Sequence, residues 1–360
     1  MNNLKPAGNV KKGRLERLEA VRGFAALYVV LFHILPQKFF LFGINIGILF
    51  RFGPEAVIVF FVLSGFVIRY TWEKSIDKSF RYYFIRRFIR LYVPLFFIFL
   101  LGYLLKCYQE GALASPEWGH LIGNLFMLQD VISQKPNVIV PAYLGNGVLW
   151  SLSYEWWFYM LFFFLKTRID SQKLNKWVGI LTIAAALSYI IYPFMVNRLV
   201  MYFAIWWTGV RFAEIYFEKG TFTLASLGSH AWVMLAITVI LTINYVIHRA
   251  ASGTYTYPLV AYPFVELRHF VFAGMVMVGA IVWKKLKWIG FDPVFGWFKY
   301  LAPCSYAIYI AHHYLVVEAT YLRFLHSPVL EYGLYIGVLI GFSFFLEVFL
   351  YNRIKKLIIG

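Results

Sequence analysis

The chain has 360 residues, of which 61% are hydrophobic, 21% aromatic and 14% charged, with a mean hydropathy of +0.68. A soluble domain averages about 45–50% apolar and about 25% charged residues, so this composition excludes an ordinary soluble protein and implies a polytopic, all-α membrane protein. The net charge of +17 would suggest nucleic acid in a soluble chain; here the accumulation of Lys and Arg in cytoplasmic loops accounts for it, and no nucleic-acid partner is expected.

Residues 1–17 are polar and basic, with Lys5, Lys11, Lys12, Arg14 and Arg17, and are expected to form a cytoplasmic segment ahead of a single transmembrane domain over 18–356. A spanning helix needs about 20 mainly apolar residues. About ten such segments are predicted, starting near residues 18, 54, 86, 148, 177, 198, 230, 266, 299 and 330. Cations cluster in alternate connections: Arg69 to Arg90 between the second and third segments, Lys166 to Lys176 after the fourth, Arg211 and Lys219 after the sixth, Lys284 to Lys287 after the eighth, and Arg353 to Lys356 at the end. The long connection over 107–147 carries Glu110, Glu117 and Asp130, with Lys135 as its loop cation. This alternation predicts that both termini are cytoplasmic. The first apolar segment carries Arg22 and lacks a small-residue cleavage site, so it is not read as a cleavable signal peptide. Cys107 and Cys304 make neither a zinc pattern nor a disulfide framework.

Four stretches carry chemistry. In LEAVRGFAALYVVLFH, residues 18–33, Arg22 and His33 are eleven residues apart, which returns to within about 20° of one helix face with Cα atoms roughly 16 Å apart. Ionisable groups in such a segment usually face a polar interior; the plainer account is that Arg22 anchors at headgroups and His33 bonds a neighbouring helix. In SFRYYFIRRFIRLYVP, Arg87 and Arg90 are three apart and Arg86 and Arg90 four apart, so their guanidinium groups neighbour one another on a helix. They suit either lipid phosphates at the interface or a bidentate anion site. Glu155 in GVLWSLSYEWWFYM falls about seven residues, roughly 10 Å, into its helix, and is either a functional carboxylate or a structural partner for an Arg or His. The ninth segment, LAPCSYAIYIAHHYLVVEATYL, adds Ser305, Tyr306, His312, His313 and Glu318. As one helix it would place His312 about 20 Å along.

Taken together, these motifs resemble the acyltransferase-3 family of integral membrane O-acyltransferases over nearly the whole chain. RLEAVRGFAALYVVLFH resembles the family's pattern of a basic residue, ten residues and a histidine, at Arg22 and His33. FFVLSGFVI, with Ser64 and Gly65, is similar to its second-helix signature; RRFIRLYVP contains its RxxR element at Arg87 and Arg90; LWSLSYEWWFY is similar to its WSLSxE element, with Tyr154 beside the acidic position at Glu155; and SYAIYIAHHYL resembles its late SYSLYLxH element, with His312 on the histidine. One position departs. Many relatives carry an acidic residue two positions before FFVLSGF, where this chain has Ile58, with Glu55 three residues earlier. Some members of the family carry a fused periplasmic esterase-like domain; the length of this chain predicts the single-domain type without it.

It further implies transfer of an acyl group, usually acetyl, from cytoplasmic acyl-CoA to a hydroxyl of a cell-surface polysaccharide, its lipid-linked precursor or a small molecule, in the cytoplasmic (inner) membrane among membrane lipids. Acetyl-CoA is expected as the acyl donor, and no metal. Transfer from a thioester to an alcohol needs a base and oxyanion stabilisation. His33 is the expected base or covalent acyl carrier. Glu155 is expected to orient or charge-balance it or to act on the acceptor, and Arg22 to extend the site. Arg86, Arg87 and Arg90 are expected to grip the CoA phosphates; His312, Tyr154 and Ser64 to contact the acceptor. The alternative reading is a transporter or flippase of a lipid-linked sugar.

Overall fold

The structure, a computed structural model, describes residues 8–35, 38, 40–218, 220–252 and 261–359, with the side chains of 8–14, 41, 251–252 and 359 excepted. Lys5 and Lys219 therefore lie outside the described residues. The chain divides into two compact units, Met1–Phe60 with Trp283–Gly360, and Phe61–Val282. Almost every element is helical. Among the described residues the exceptions are two pairs of two-residue strands in connections: an antiparallel pair, β1 (Phe40–Leu41) with β2 (Ile44–Asn45), and a parallel pair, β3 (Gln129–Asp130) with β4 (Val140–Pro141).

In the first unit the long helix α1 (Gly8–Ile34) begins ten residues before the expected start at 18 and continues through the basic segment. It packs on the re-entry of the chain at Phe291–Phe298. Phe24 meets the rings of Phe295 and Phe298 edge-on at 4.9 and 5.1 Å. Gly23 is needed there, because a Cβ would fall 2.0 Å from the Phe298 carbonyl oxygen. At the basic end of α1, Arg17 forks onto Asp292 with bonds of 3.2 and 2.8 Å. The helix α2 (Gly53–Lys74) starts in this unit and continues into the second.

The ninth segment is not one continuous helix. Two 3₁₀ turns, Gly296–Tyr300 and Ala302–Cys304, precede the eight-residue α-helix Ser305–His312, and the helix then widens to π geometry over His313–Val317. Pro303 lies in the second 3₁₀ turn, where its missing N–H and fixed φ interrupt an α-helical ladder. The chain ends in Pro328–Phe344, a second π stretch over Phe345–Leu350, and Tyr351–Ile359.

The second unit is built around α7 (Met195–Phe217), in which every residue from Met201 to Val210 is buried. Its aromatic run explains this: Tyr202, Phe203, Trp206 and Trp207 supply large apolar area to neighbours on every side. The rest of α2 lies against it at backbone distance. A Cβ at Gly65 would sit 2.0 Å from the Trp206 carbonyl oxygen, and one at Gly209 1.9 Å from that of Val62, so two glycines, one from each helix, permit the approach. Around this pair stand α3 (Phe80–Glu110), α5 (Trp150–Arg168), α6 (Ser171–Ile191), α8 (Ser229–Ser252) and α9 (Phe264–Lys285), and the short α4 (Trp118–Leu125) in the long connection.

A helical element stands at or beside each of the ten expected starts. Among the described residues, seven helices are long and apolar enough to cross a membrane: Ile46–Lys74, Phe80–Glu110, Gly147–Arg168, Ser171–Ile191, Ser229–Ala250, Phe264–Lys285 and Pro328–Ile358. The other three expected spans are α1, α7 and the interrupted ninth segment.

Candidate active site

The expected site residues fall into separate groups. In the first unit, the end of α1 brings His33 to the helix Ser305–His312, and the rings of His33 and His312 lie 5.1 Å apart at 38°. His33 is exposed and makes no hydrogen bond among the described residues, whereas His312 is fully buried. The His312 Nδ1 lies 2.7 Å from the Tyr309 carbonyl oxygen. Its neighbour His313 turns to the Glu318 carboxylate, with Nε2 3.3 Å from Oε1. The start of α2 reaches this end of α1, where a Cβ at Gly53 would collide with the Phe32 ring at 2.3 Å. Glu55 is buried in that first turn of α2, and Ile58 is buried one turn on. Arg22 is half-buried on α1, three helical turns from the imidazoles and not part of the pair.

In the second unit α2, α5 and α7 converge on Glu155. The Ser64 hydroxyl donates to Glu155 Oε1 at 2.8 Å, and the Tyr159 hydroxyl donates to the same oxygen. Trp206 Nε1 donates to Ser64 Oγ at 3.2 Å. Glu155 and Tyr159 are four apart and share a helix face, a signal the sequence offered for Tyr159; Trp206 carried none.

The arginines of α3 divide. Arg87 donates to Thr71 Oγ1 at 2.9 Å and lies 5.4 and 5.7 Å from the rings of Tyr83 and Tyr159, which connects it through Tyr159 to the Glu155 group. Its Nε is buried with no hydrogen-bond partner among the described residues. Arg86 instead donates to Tyr82 Oη on its own helix at 2.9 Å, and Arg90 is half-buried one turn on.

Tyr154 belongs elsewhere. One residue before Glu155 it is rotated by about 100°, and its hydroxyl donates to Asp130 Oδ2 at 2.7 Å while accepting from Arg198 Nε at 2.9 Å. Asp130 also holds Lys135 Nζ and an Arg198 terminal nitrogen, each at 2.9 Å, with all three side chains buried. Burial alone would raise the Asp130 carboxyl; Lys135 and Arg198 beside it outweigh that and hold it below the ordinary aspartate value. Lys135 Nζ stands 3.7 Å from the Trp150 ring centroid, and Arg198 extends to Tyr189, whose hydroxyl donates to the buried Glu266. Sequence reasoning treated Asp130 and Lys135 as loop charges and missed Arg198 and Glu266. The available signal was a cation and a carboxylate inside apolar segments.

These groups offer, in one unit, a pair of imidazoles with open nitrogens and, in the other, a carboxylate held by two hydroxyls near a guanidinium. Such parts suit proton transfer and anion recognition. No solved structure matches the chain. Acyltransferase MdmB of Streptomyces mycarofaciens is 32% identical over 193 residues, covering 51% of this chain and 47% of the relative, so the chain spans about half the length of that curated relative. The family model described as an acyltransferase domain matches residues 15–348, a range that includes both imidazoles, Glu155 and all three arginines. The chain belongs to the acyltransferase-3 family of membrane acyltransferases.

Proposed function

We propose that the protein transfers an acetyl group from cytoplasmic acetyl-CoA to a hydroxyl of a cell-surface polysaccharide or its lipid-linked precursor, as a multi-pass protein of the cytoplasmic membrane. The observation that carries this reading is the open imidazole of His33 beside His312, within the stretch matched by the family. His33 takes the proton of the acceptor hydroxyl, the oxygen attacks the thioester carbonyl, the carbon–sulfur bond breaks, and the proton passes from His33 to the departing thiolate as CoA thiol. Glu155 and Ser64 act on the acceptor. Arg22 extends the donor site along α1. The experiment is glycan mass spectrometry of cells with and without the gene: gain of one acetyl group with the gene supports the reading, and identical spectra of all surface glycans and precursors refute it.

Arg87 and Arg90 are assigned to the phosphates of CoA, with Arg86 beside them. The buried Nε of Arg87, without a partner among the described residues, supports this for Arg87. Arg87→Lys and Arg90→Lys keep the charge but lose the planar fork. Each is expected to weaken acetyl-CoA binding by about tenfold, a loss of ~1.4 kcal/mol, with unchanged membrane insertion, as measured by equilibrium binding to purified protein. Unchanged affinity in both would return these arginines to a lipid-anchoring role.

The orientation assigned from loop charge is tested by labelling. In a background of Cys107→Ala and Cys304→Ala, Leu113→Cys and Leu286→Cys place thiols at positions 87% and 57% exposed. An impermeant thiol reagent added to intact cells is expected to modify the first and not the second. The reverse pattern would overturn the cytoplasmic donor site.

A further inference from the structure

The Tyr309 carbonyl can only accept a hydrogen bond. At 2.7 Å from it, Nδ1 of His312 must therefore carry the proton, which leaves Nε2 with the lone pair. That Nε2 is buried and has no hydrogen-bond partner among the described residues. An unused acceptor in such a place is costly unless a donor reaches it. The helix is built to present it. After His312 the backbone widens to π geometry, with the Glu318 N–H reaching His313 O five residues back at 2.9 Å, a local form that concentrates at functional sites.

The ring of His33 stands beside that of His312, with centroids 5.1 Å apart. Imidazole nitrogens lie roughly 1.1 Å from the ring centroid, so two rings joined end to end by an N–H···N bond of about 2.9 Å have centroids about 5 Å apart. The observed separation matches; the Tyr309 bond holds the His312 ring in place, so the bond calls for a turn of the exposed His33 side chain alone. Nε2 of His313 is likewise buried without a hydrogen bond among the described residues, but it already has a carboxylate oxygen, that of Glu318, 3.3 Å away, which gives it a partner of its own. A neutral His33 has one N–H and one lone pair.

We propose that His312 is a positioning residue for His33: its Nε2 accepts the His33 N–H and so directs the remaining His33 lone pair to the acceptor hydroxyl. This rests on the reading of His33 as the base, and it moves His312 from acceptor contact to support of the base. The logic is that of a base oriented by a third group, with a neutral imidazole where a carboxylate more often stands. No proton moves to His312. As His33 takes the hydroxyl proton its N–H becomes a stronger donor to Nε2, and the proton taken up leaves with the thiolate.

The test uses membrane vesicles with the cytoplasmic face outward, from cells lacking the chromosomal gene and expressing the full-length variant. The probe is radiolabelled acetyl-CoA, and the endogenous membrane glycan is the acceptor. His312→Phe keeps a ring but removes the acceptor nitrogen; His312→Gln keeps an acceptor oxygen. His312→Phe is expected to lower the rate at saturating acetyl-CoA by about 10²-fold, with the KM for acetyl-CoA within about twofold of wild type. His312→Gln is expected to recover to within about tenfold of wild type. Should His312→Phe fail to accumulate, His312→Met, also without a strong acceptor, takes its place against His312→Gln. Wild-type rates in the apolar variant, or a folded His312→Gln protein no faster than it, would overturn the proposal. His33→Gln, assayed in parallel, separates the two readings: if it is active, the base assignment fails; if it is inactive while His312→Phe is normal, only the positioning role fails.

Discussion

A His33→Gln protein is expected to fold, insert and bind acetyl-CoA, and to transfer acetyl about 10²–10⁴-fold more slowly than wild type, the range a general base contributes. His33 makes this a clean test. Its side chain is exposed and has no hydrogen bond among the described residues, so the substitution opens no cavity in the core, and the glutamine N–H can still donate to His312. Glutamine keeps hydrogen-bonding groups but takes up no proton near neutral pH. His33→Ala is expected to lose activity to the same extent. The measurement is acetyl incorporation into membrane glycan beside acetyl-CoA binding to purified protein, in an assay resolving at least four decades of rate. A folded His33→Gln protein working at near wild-type rate would remove His33 from the mechanism and make Glu155 the leading base.

Local pattern and distant pairing were unequally legible. The long α2 and α3 follow from apolar runs of spanning length, and Gly23 and Gly65 stand in the motifs that carried the family resemblance. The interruption of the ninth segment was only half visible. Pro303 is a sequence signal, but no periodicity announces the π stretch after His312 or the contact of His312 Nδ1 with Tyr309 O. The grouping of Ser64 with Glu155 joins residues 91 apart and was reachable only through the resemblance, since nothing in helical spacing links them. Tyr154 shows the opposite failure. It stands inside a recognised motif beside Glu155, yet the rotation of one residue along α5 sends it to Asp130. The partnership of Asp130 with Arg198, 68 residues away, had no local trace at all. Loop charge was counted for orientation, and counting treats a charge as solvated when the fold has buried it.

That buried partnership carries the largest expected effect on stability. Asp130 accepts from Lys135, Arg198, Tyr154 and its own chain at Val131, all within 2.9 Å, and neither it nor Arg198 is accessible. Removing one member of a buried ion pair leaves the other charge without compensation and costs about 3–5 kcal/mol. The ligand count then ranks the substitutions. Asp130→Asn leaves two cations facing a neutral amide and is expected to cost most. Arg198→Met leaves Asp130 with Lys135 but strips donors from Tyr154 and Tyr189 as well. Lys135→Met leaves the Arg198–Asp130 bond in place and is expected to cost least. Acidification acts on the same group with a definite sign. The folded Asp130 carboxyl is held below its ordinary value, so its contribution is complete above the unfolded value of about 3.9 and is lost only as pH falls through the lower folded value. Mild acid therefore leaves the cluster intact. Denaturant or thermal unfolding of the purified variants in detergent, followed by tryptophan fluorescence, gives the order directly. If Lys135→Met proves more damaging than Asp130→Asn, Asp130 is not the centre of the cluster, and the long connection is held to α5 and α7 by Lys135 and its aromatic neighbours instead.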